Sequence, residues 1–336
     1  MPSQPADREI QTALSVVTPV YNEVETVPEL VSRIKATVAD ITPTLSLELI
    51  VVDDGSTDGT TALLTKMAAS DPTIRVLELS RNFGHQAAIT AGIDRSTGDA
   101  VVVIDGDLQD PPELIPKMVE RWRDGVDVVY AVRERRQGEV FYKRVAASVH
   151  YRIQRWLSDV DIPVDTGDFR LMSRRVVDQL VDLRESSRYI RGLVAWLGFT
   201  QEAVPFVRES RYAGDRKYTF RSLLKLSLDG LTSFTDKPLR LASQIGAITT
   251  IGALLYGAWI IIARLIDPGR AFEGFAAIMV TILALGGIQL FAIGILGEYL
   301  GRVYVETKRR PLYVVREEHS AETDSLPSQV RHVGRR

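Results

Sequence analysis

From Leu14 to about Tyr130 the chain alternates short runs of β-branched and other apolar residues with stretches in which apolar positions recur at helical spacing. The runs are LSVVTPV, LELIVVDD, IRVLELS, AVVVIDGD and VDVVYAV; the helical stretches lie near residues 25 to 40, 58 to 70, 85 to 97 and 111 to 124. Runs that are apolar throughout, rather than at every second position, suit strands covered on both faces. The pattern therefore predicts an α/β domain, a mostly parallel sheet with helices on both faces. Such sheets bind ligands beyond the carboxyl ends of their strands, and TPVYNE, DDGSTDGT and DGDLQD all fall there.

Further on the pattern changes. Ile245 to Ala263 and Gly274 to Gly297 are uncharged apolar runs, each close to the ~20 residues that cross a bilayer, and the polar stretch RLIDPGRAFE separates them. They read as two transmembrane helices. Lys237 and Arg240 precede the pair, Arg302, Lys308, Arg309 and Arg310 follow it, and only Arg264 and Arg270 lie between, so the positive-inside bias puts both ends in the cytoplasm. Glu139 to Leu157 spaces Phe141, Val145, Val149, Ile153 and Leu157 four residues apart among Lys143, Arg144, Arg152 and Arg155. Phe220 to Phe234 carries Leu223, Leu224, Leu228 and Leu231 at helical spacing. Both are expected to be amphipathic helices lying on the membrane surface. The tail from Arg316 onward is polar and expected to be disordered.

Charge and composition narrow the partners. A formal net charge of −2 over 336 residues provides no global basic field, which argues against nucleic acid. The absence of cysteine excludes disulfide scaffolds, thiolate zinc sites and cysteine nucleophiles, and His85, His150, His319 and His332 are too scattered for a histidine metal cluster. The N-terminal stretch has no basic region followed by an apolar core, so a cytoplasmic start is expected. No G-x-x-x-x-G-K-[ST], no G-x-G-x-x-G after the first strand and no G-x-S-x-G are present, which argues against P-loop enzymes, dinucleotide oxidoreductases and α/β hydrolases.

What remains is a nucleotide site built on acid and metal. In DGDLQDPPE, Asp105, Asp107 and Gln109 offer hard oxygen ligands at every second position as a strand opens into a turn, which suits Mg²⁺ or Mn²⁺ shared with a diphosphate. An acidic turn before a helix is the plainer reading, and the EF-hand spacing is not met. In VVDDGSTDGT most residues serve turns and caps, leaving Asp53 and Asp54 to meet a base edge or ribose hydroxyl; in TPVYNE, Pro19, Tyr21 and Glu23 end the first strand, with an aromatic face for a base. VRERRQGE supplies Arg133, Arg135 and Arg136, and RYAGDRKY supplies Arg211, Arg216 and Lys217, for phosphates or for lipid headgroups. In VDTGDFRLMS, set between an apolar helix and a strand, Asp168 either orients an acceptor or pairs with Arg170.

Taken in order, TPVYNE, VVDDGSTDGT, RNFGHQAA, DGDLQDPPE, TGDFRLMS and RYAGDRKY, followed by two apolar spans, resemble the family-2 glycosyltransferases, and among them the polyprenyl-phosphate glycosyltransferases. The resemblance covers roughly residues 12 to 312. It implies a GT-A fold with residues 1–138 as nucleotide-sugar core, 139–236 as the rest of the catalytic domain, 237–304 as membrane helices and 305–336 as a cytoplasmic tail. It implies inverting transfer of a hexose, glucose from UDP-glucose first, to a polyprenyl phosphate at the inner membrane. By the same resemblance Asp105, Asp107 and Gln109 hold the metal, and Asp53, Asp54, Pro19, Tyr21 and Glu23 the nucleoside. Asp168, with Asp107, serves the reacting centre, and Arg133, Arg136, Arg211 and Lys217 the phosphates. Arg216 departs from the family, where a small hydroxyl residue is expected before the lysine. Mannosyl transfer from GDP-mannose and a non-catalytic nucleotide-sugar-binding protein are the alternatives. A polysaccharide synthase fits less well, because IQRWL lacks the Q-x-x-R-W spacing. Gly286, Gly287, Gly294, Gly297 and Gly301 leave room for close helix packing, between copies of the chain included.

Overall fold

The five apolar runs form β1 (Thr12–Val20), β2 (Leu45–Asp53), β3 (Ile74–Leu79), β4 (Ala100–Val103) and β5 (Val128–Arg133), and the periodic stretches form α1 (Val27–Ala39), α2 (Thr60–Ser70), α3 (His85–Arg95) and α4 (Ile115–Arg123). The computed structural model describes residues 12–41, 45–133, 166–186, 188–206, 237–266 and 274–321. Three further strands, β6 (Thr166–Ser173), β7 (Gln201–Phe206) and β8 (Val315–His319), complete an eight-stranded sheet in the order β7-β5-β6-β4-β1-β2-β3-β8. Of these, β6 and β8 run antiparallel to their neighbours and the rest share one direction. The helices α5 (Arg174–Asp182) and α6 (Ile190–Leu197) follow β6.

Burial explains why these runs are apolar throughout. On one face Val16, Val51, Val76, Val102 and Leu171 pack with Leu30 and Ile34 of α1, Leu64 of α2 and Met118 of α4. Each fully buried aliphatic side chain of this kind stabilises the fold by about 1.5–3 kcal/mol relative to exposure. On the other face α3 comes close enough that only a glycine fits: a β-carbon at Gly92 would lie 2.2 Å from Val17 Cγ1 and 3.1 Å from Val52 Cγ2.

Register then decides what gathers at the carboxyl edge. Val20 lies opposite Asp53, and Val17 opposite Val103, so the ends of β1, β2 and β4 come side by side. Because β6 runs the other way, with Val103 opposite Arg170, its first residues reach the same edge. That is how Asp168 arrives beside Asp105.

Two expectations are corrected here. TGDFRLMS was expected between a helix and a strand, but it is itself a strand, inserted between β4 and β5; Asp168 and Arg170 break an otherwise apolar run and disguise it. The tail was expected to be disordered from Arg316, yet Val315–His319 adds an edge strand to β3. Its sequence is polar because it is held by backbone pairing and ion pairs, Glu318 to Arg75 at 2.8 Å and Arg316 to Glu78 at 2.6 Å, rather than by apolar burial.

The chain divides into two units, one holding the sheet and including the residues from Pro311 onward, the other running from Thr219 to Arg310 with the short stretch Arg152–Asp159. The described part of the second unit is two helices in mutual contact, α7 (Lys237–Ile266) and α8 (Phe275–Thr307). Within them Ala242–Ala263 and Leu285–Thr307 are long and apolar enough to cross a membrane. Leu254, Leu265, Leu290 and Phe291 stand exposed on these helices, an arrangement that suits lipid and not water. The stretches Glu139 to Leu157 and Phe220 to Phe234 lie outside the described residues.

Candidate functional site

At the carboxyl edge the loops after β1 and β2 are stitched together. Asn22, in the left-handed region at φ 56°, accepts a bond from Thr57 N at 2.8 Å through its side chain, and its own N–H donates to Ser56 Oγ at 2.9 Å. Asp53 accepts from Ser56 N at 3.0 Å and from the Thr61 hydroxyl. Asp54 accepts from the N–H groups of Phe83 at 2.7 Å and Gly84 at 3.0 Å; burial pushes its carboxyl up in spite of these two bonds. Gly55 makes this turn possible, having φ +73°, and a β-carbon there would lie 2.6 Å from the Arg81 carbonyl carbon.

The expected nucleoside residues therefore differ in what they do. Tyr21, directly after β1, is 44% exposed. Pro19 lies within β1, opposite Val52. Glu23 starts α1, its carbonyl accepting from Thr26 N and Val27 N and its carboxylate from Thr26 Oγ1 at 2.8 Å.

The centre of the edge is a knot of charge around Asp168. Its Oδ2 accepts from Gln86 Nε2 at 2.9 Å and lies 3.1 Å from His85 Nε2, while its Oδ1 faces Arg191 Nε at 3.1 Å. His85 Nε2 is also 3.3 Å from Asp105 Oδ1. Burial alone would raise the Asp168 carboxyl, but the His85 bond and the charges of Arg191 and Arg170 outweigh it and hold the group well below the usual carboxylate range. Desolvation opposes charge on His85 as well, yet the two carboxylates push its imidazolium up to about 10. Arg170 is not the ion-pair partner that sequence proximity suggested. Its guanidinium donates to the carbonyls of Gly167 at 3.1 Å and Asp168 at 3.4 Å and so fixes the backbone that presents the carboxylate.

The acidic loop after β4 turns sharply at the carboxyl edge. Leu108 takes φ 57° and buries both itself and Gln109, at 3% and 5% exposure, while Asp105 and Asp107 stay half-buried. Asp107 Oδ1 accepts from Gln109 N at 3.1 Å. Asp105 Oδ1 and Gln109 Nε2 are buried without a hydrogen bond, and ligand atoms of His85, Asp105 and Asp168 all lie within 4.8 Å of one another. The carboxylate oxygens fit Mg²⁺ or Mn²⁺, whereas His85, as an imidazolium, has no lone pair free for a metal. Arg133 ends β5 with Nη2 3.9 Å from the buried Asp110 Oδ1 and 3.4 Å from where a β-carbon on Gly167 would stand. Arg136, Arg211, Arg216 and Lys217 lie outside the described residues.

His85, Gln86 and Arg191 were not singled out in the sequence. RNFGHQAA carried the first two, but only as part of a motif; nothing in its spacing shows that they close on a strand more than eighty residues away.

An acidic, nucleotide-type edge on this sheet, followed by an apolar helical pair, defines a class, and the comparisons agree with it. Residues 15–181 match glycosyl transferase family 2, and residues 237–303 match the GtrB C-terminal hairpin. The chain belongs to glycosyltransferase family 2. It is 46% identical over 312 residues to a Bacillus subtilis protein named uncharacterized glycosyltransferase YkcC, covering 93% of this chain and 96% of that one. It is 40% identical over 305 residues to the bactoprenol glucosyl transferase of Shigella phage SfV, covering 91% of this chain and 98% of that one. Among solved structures, the mannosyltransferase PcManGT from Pyrobaculum calidifontis, in complex with GDP-Man and Mn²⁺, is 18% identical with a TM-score of 0.46, covering 89% of this chain and 88% of that chain.

Proposed function

We propose that this chain transfers glucose from UDP-glucose, with inversion, to the phosphate of a polyprenyl lipid such as undecaprenyl phosphate, at the cytoplasmic face of a membrane. The observation that carries the reading is Asp168, buried and ionised at the carboxyl edge in the grip of His85, Gln86 and Arg191 beside Asp105. Relatives named for bactoprenol glucosyl transfer, 40% identical over almost their whole length, supply the acceptor and the sugar.

In this reaction the bond from the sugar C1 to the donor phosphate oxygen breaks, a bond from C1 to the acceptor phosphate oxygen forms, and the nucleoside diphosphate leaves with the electron pair. A lipid phosphate is already anionic near neutral pH, so no proton must be taken from it. Asp168 has Oδ2 held by Gln86 and His85, while Oδ1 lies 3.1 Å from the Arg191 cation without a hydrogen bond; its part is electrostatic, facing the positive charge that grows on the sugar while it holds the cations of His85 and Arg191 in place. Asp105, Asp107 and Gln109 would hold Mg²⁺ or Mn²⁺, which when bound neutralises diphosphate charge as a Lewis acid. Tyr21 offers its face to the base, with Asp53, Asp54, Pro19 and Glu23 shaping the nucleoside side. Arg133 is placed for phosphate, as Arg136, Arg211 and Lys217 are by the family resemblance.

The polypeptide leaves the sheet after β7 and rejoins it at β8, so any bilayer between them is crossed an even number of times. The two apolar helices satisfy this, and the flanking basic residues favour the cytoplasm for both ends.

Titration of UDP-glucose, GDP-mannose and UDP-N-acetylglucosamine into detergent-purified protein with Mg²⁺ or Mn²⁺ tests the donor site. Binding of UDP-glucose that EDTA abolishes is expected. Preference for GDP-mannose would move the assignment to mannosyl transfer, and failure of every nucleotide to bind would remove the reading.

A further inference from the structure

We propose that Tyr313 and Arg316, in the segment that follows the second apolar helix, are positioning residues for the catalytic edge, because they fix both ends of the element that carries His85 and Gln86. That element is α3 with the loop Ser80–Gly84 leading into it. On its inner side it builds the site directly: Phe83 N and Gly84 N bind Asp54, and His85 and Gln86 hold Asp168. The Arg81 backbone is packed so closely on Gly55 that this loop has little room to shift toward β2.

On its outer side the same element is held by the tail. Ser80 N donates to Val314 O at 2.9 Å, and Ser80 O accepts from Arg316 Nη2 at 2.8 Å, so both backbone groups of the first loop residue are taken by β8 and the residue before it. Arg316 Nη1 is anchored in turn on Glu78 Oε1 at 2.6 Å. At the far end of α3, Tyr313 Oη donates to Asp94 Oδ2 at 2.7 Å, on the oxygen that also accepts from Arg184 Nη1. Glu318 faces Arg95 at 3.8 Å and Arg75 at 2.8 Å. The tail thus grips α3 at Asp94 and Arg95 and grips the loop at Ser80, with the reacting carboxylate between those two points. A 1 Å error in such a constellation costs up to about a hundredfold in rate. The Arg316 side chain is 58% exposed, and exposed pairs add little to global stability, so its removal is expected to leave the fold standing.

The test uses the full-length protein in detergent and has two arms, of which only the second rests on the function proposed above. In the first, hydrogen exchange is followed by mass spectrometry in peptides covering residues 80–86, with 14–20 and 166–173 as controls, for wild type, Arg316→Ala, Arg316→Lys and Tyr313→Phe. In the second, sugar transfer to undecaprenyl phosphate is measured for the same proteins. The expected result is exchange at 80–86 faster by about tenfold in Arg316→Ala, with controls unchanged, turnover lower by about tenfold, partial recovery in Arg316→Lys and an intermediate effect of Tyr313→Phe. Unchanged exchange and turnover would overturn the proposal, as would exchange that rises equally in the controls, which would mean general loosening. Local loosening in the variants, when the wild-type protein itself transfers no sugar, would sustain the positioning role and count against the function instead.

Discussion

The proposed reaction leans most on Asp168, whose surroundings favour an electrostatic part. With Oδ2 held by Gln86 and His85 and the Arg191 cation 3.1 Å from Oδ1 it is a fixed negative charge, so Asp168→Asn keeps the shape and removes the charge. Turnover is expected to fall by about a hundredfold or more while donor binding is retained, as when a transition-state contact is lost. Equal turnover of the two proteins, measured at saturating donor, would exclude the electrostatic role. Asp105, Asp107 and Gln109 were singled out by motif chemistry, and the structure brings Asp105 to Asp168, whose role the residues alone left open between an acceptor and Arg170. His85, Gln86 and Arg191 were not singled out, since a helix start and a helix first turn give no signal of what lies across the sheet. Glu23 was assigned to the nucleoside by resemblance, and the structure shows its carbonyl and carboxylate at the start of α1.

The elements that the sequence predicted well are those that apolar burial makes, β1 to β5 and α1 to α4; the strands that it missed, β6, β7 and β8, owe their place to pairing. In β6 Asp168 and Arg170 interrupt the apolar run, and in VREEH only Val315 is apolar. Packing of α3 on the sheet gives a direct test. Gly92→Ala puts a methyl carbon into the stiff Val17 side chain, and overpacking of this kind costs typically about 1–3 kcal/mol, to be read as a lower unfolding midpoint. An unchanged midpoint would mean that α3 sits further from β1.

A second element-scale prediction concerns the far edge, where the buried Asp127 joins β5 to α5 through Arg175 and to the start of β7 through Thr200 Oγ1 at 2.7 Å. The Arg175 guanidinium outweighs burial and, with Thr200, holds this carboxyl down to about 2. A lowered pKa in the folded state stabilises above the unfolded value of about 4 and loses that contribution as pH falls through the folded value. The stability gap between wild type and Asp127→Asn is therefore expected to be full at pH 7 and to shrink between pH 4 and pH 2. A gap independent of pH over that range would contradict the assignment.

At the scale of the whole molecule, the return of β8 to the sheet supports the proposed even number of crossings independently of charge bias. The absence of native cysteine makes this easy to test with single substitutions. Asp267→Cys, between the spans, is expected to react with an impermeant maleimide in intact cells, and Ser325→Cys only after permeabilisation; the reverse pattern would invert the topology. The fold class and the apolar helical pair were visible in the apolar pattern, whereas the insertion of that pair ahead of the last strand was not, because a polar five-residue strand has no periodicity to find. The central claim is transfer of sugar to a polyprenyl phosphate, and its most direct test is the passage of radiolabel into butanol-soluble lipid. Purified protein, undecaprenyl phosphate, Mg²⁺ or Mn²⁺ and labelled UDP-glucose should give labelled lipid, abolished by EDTA and by Asp105→Ala. No labelled lipid from UDP-glucose, GDP-mannose or UDP-N-acetylglucosamine, with nucleotide binding intact, would contradict the account.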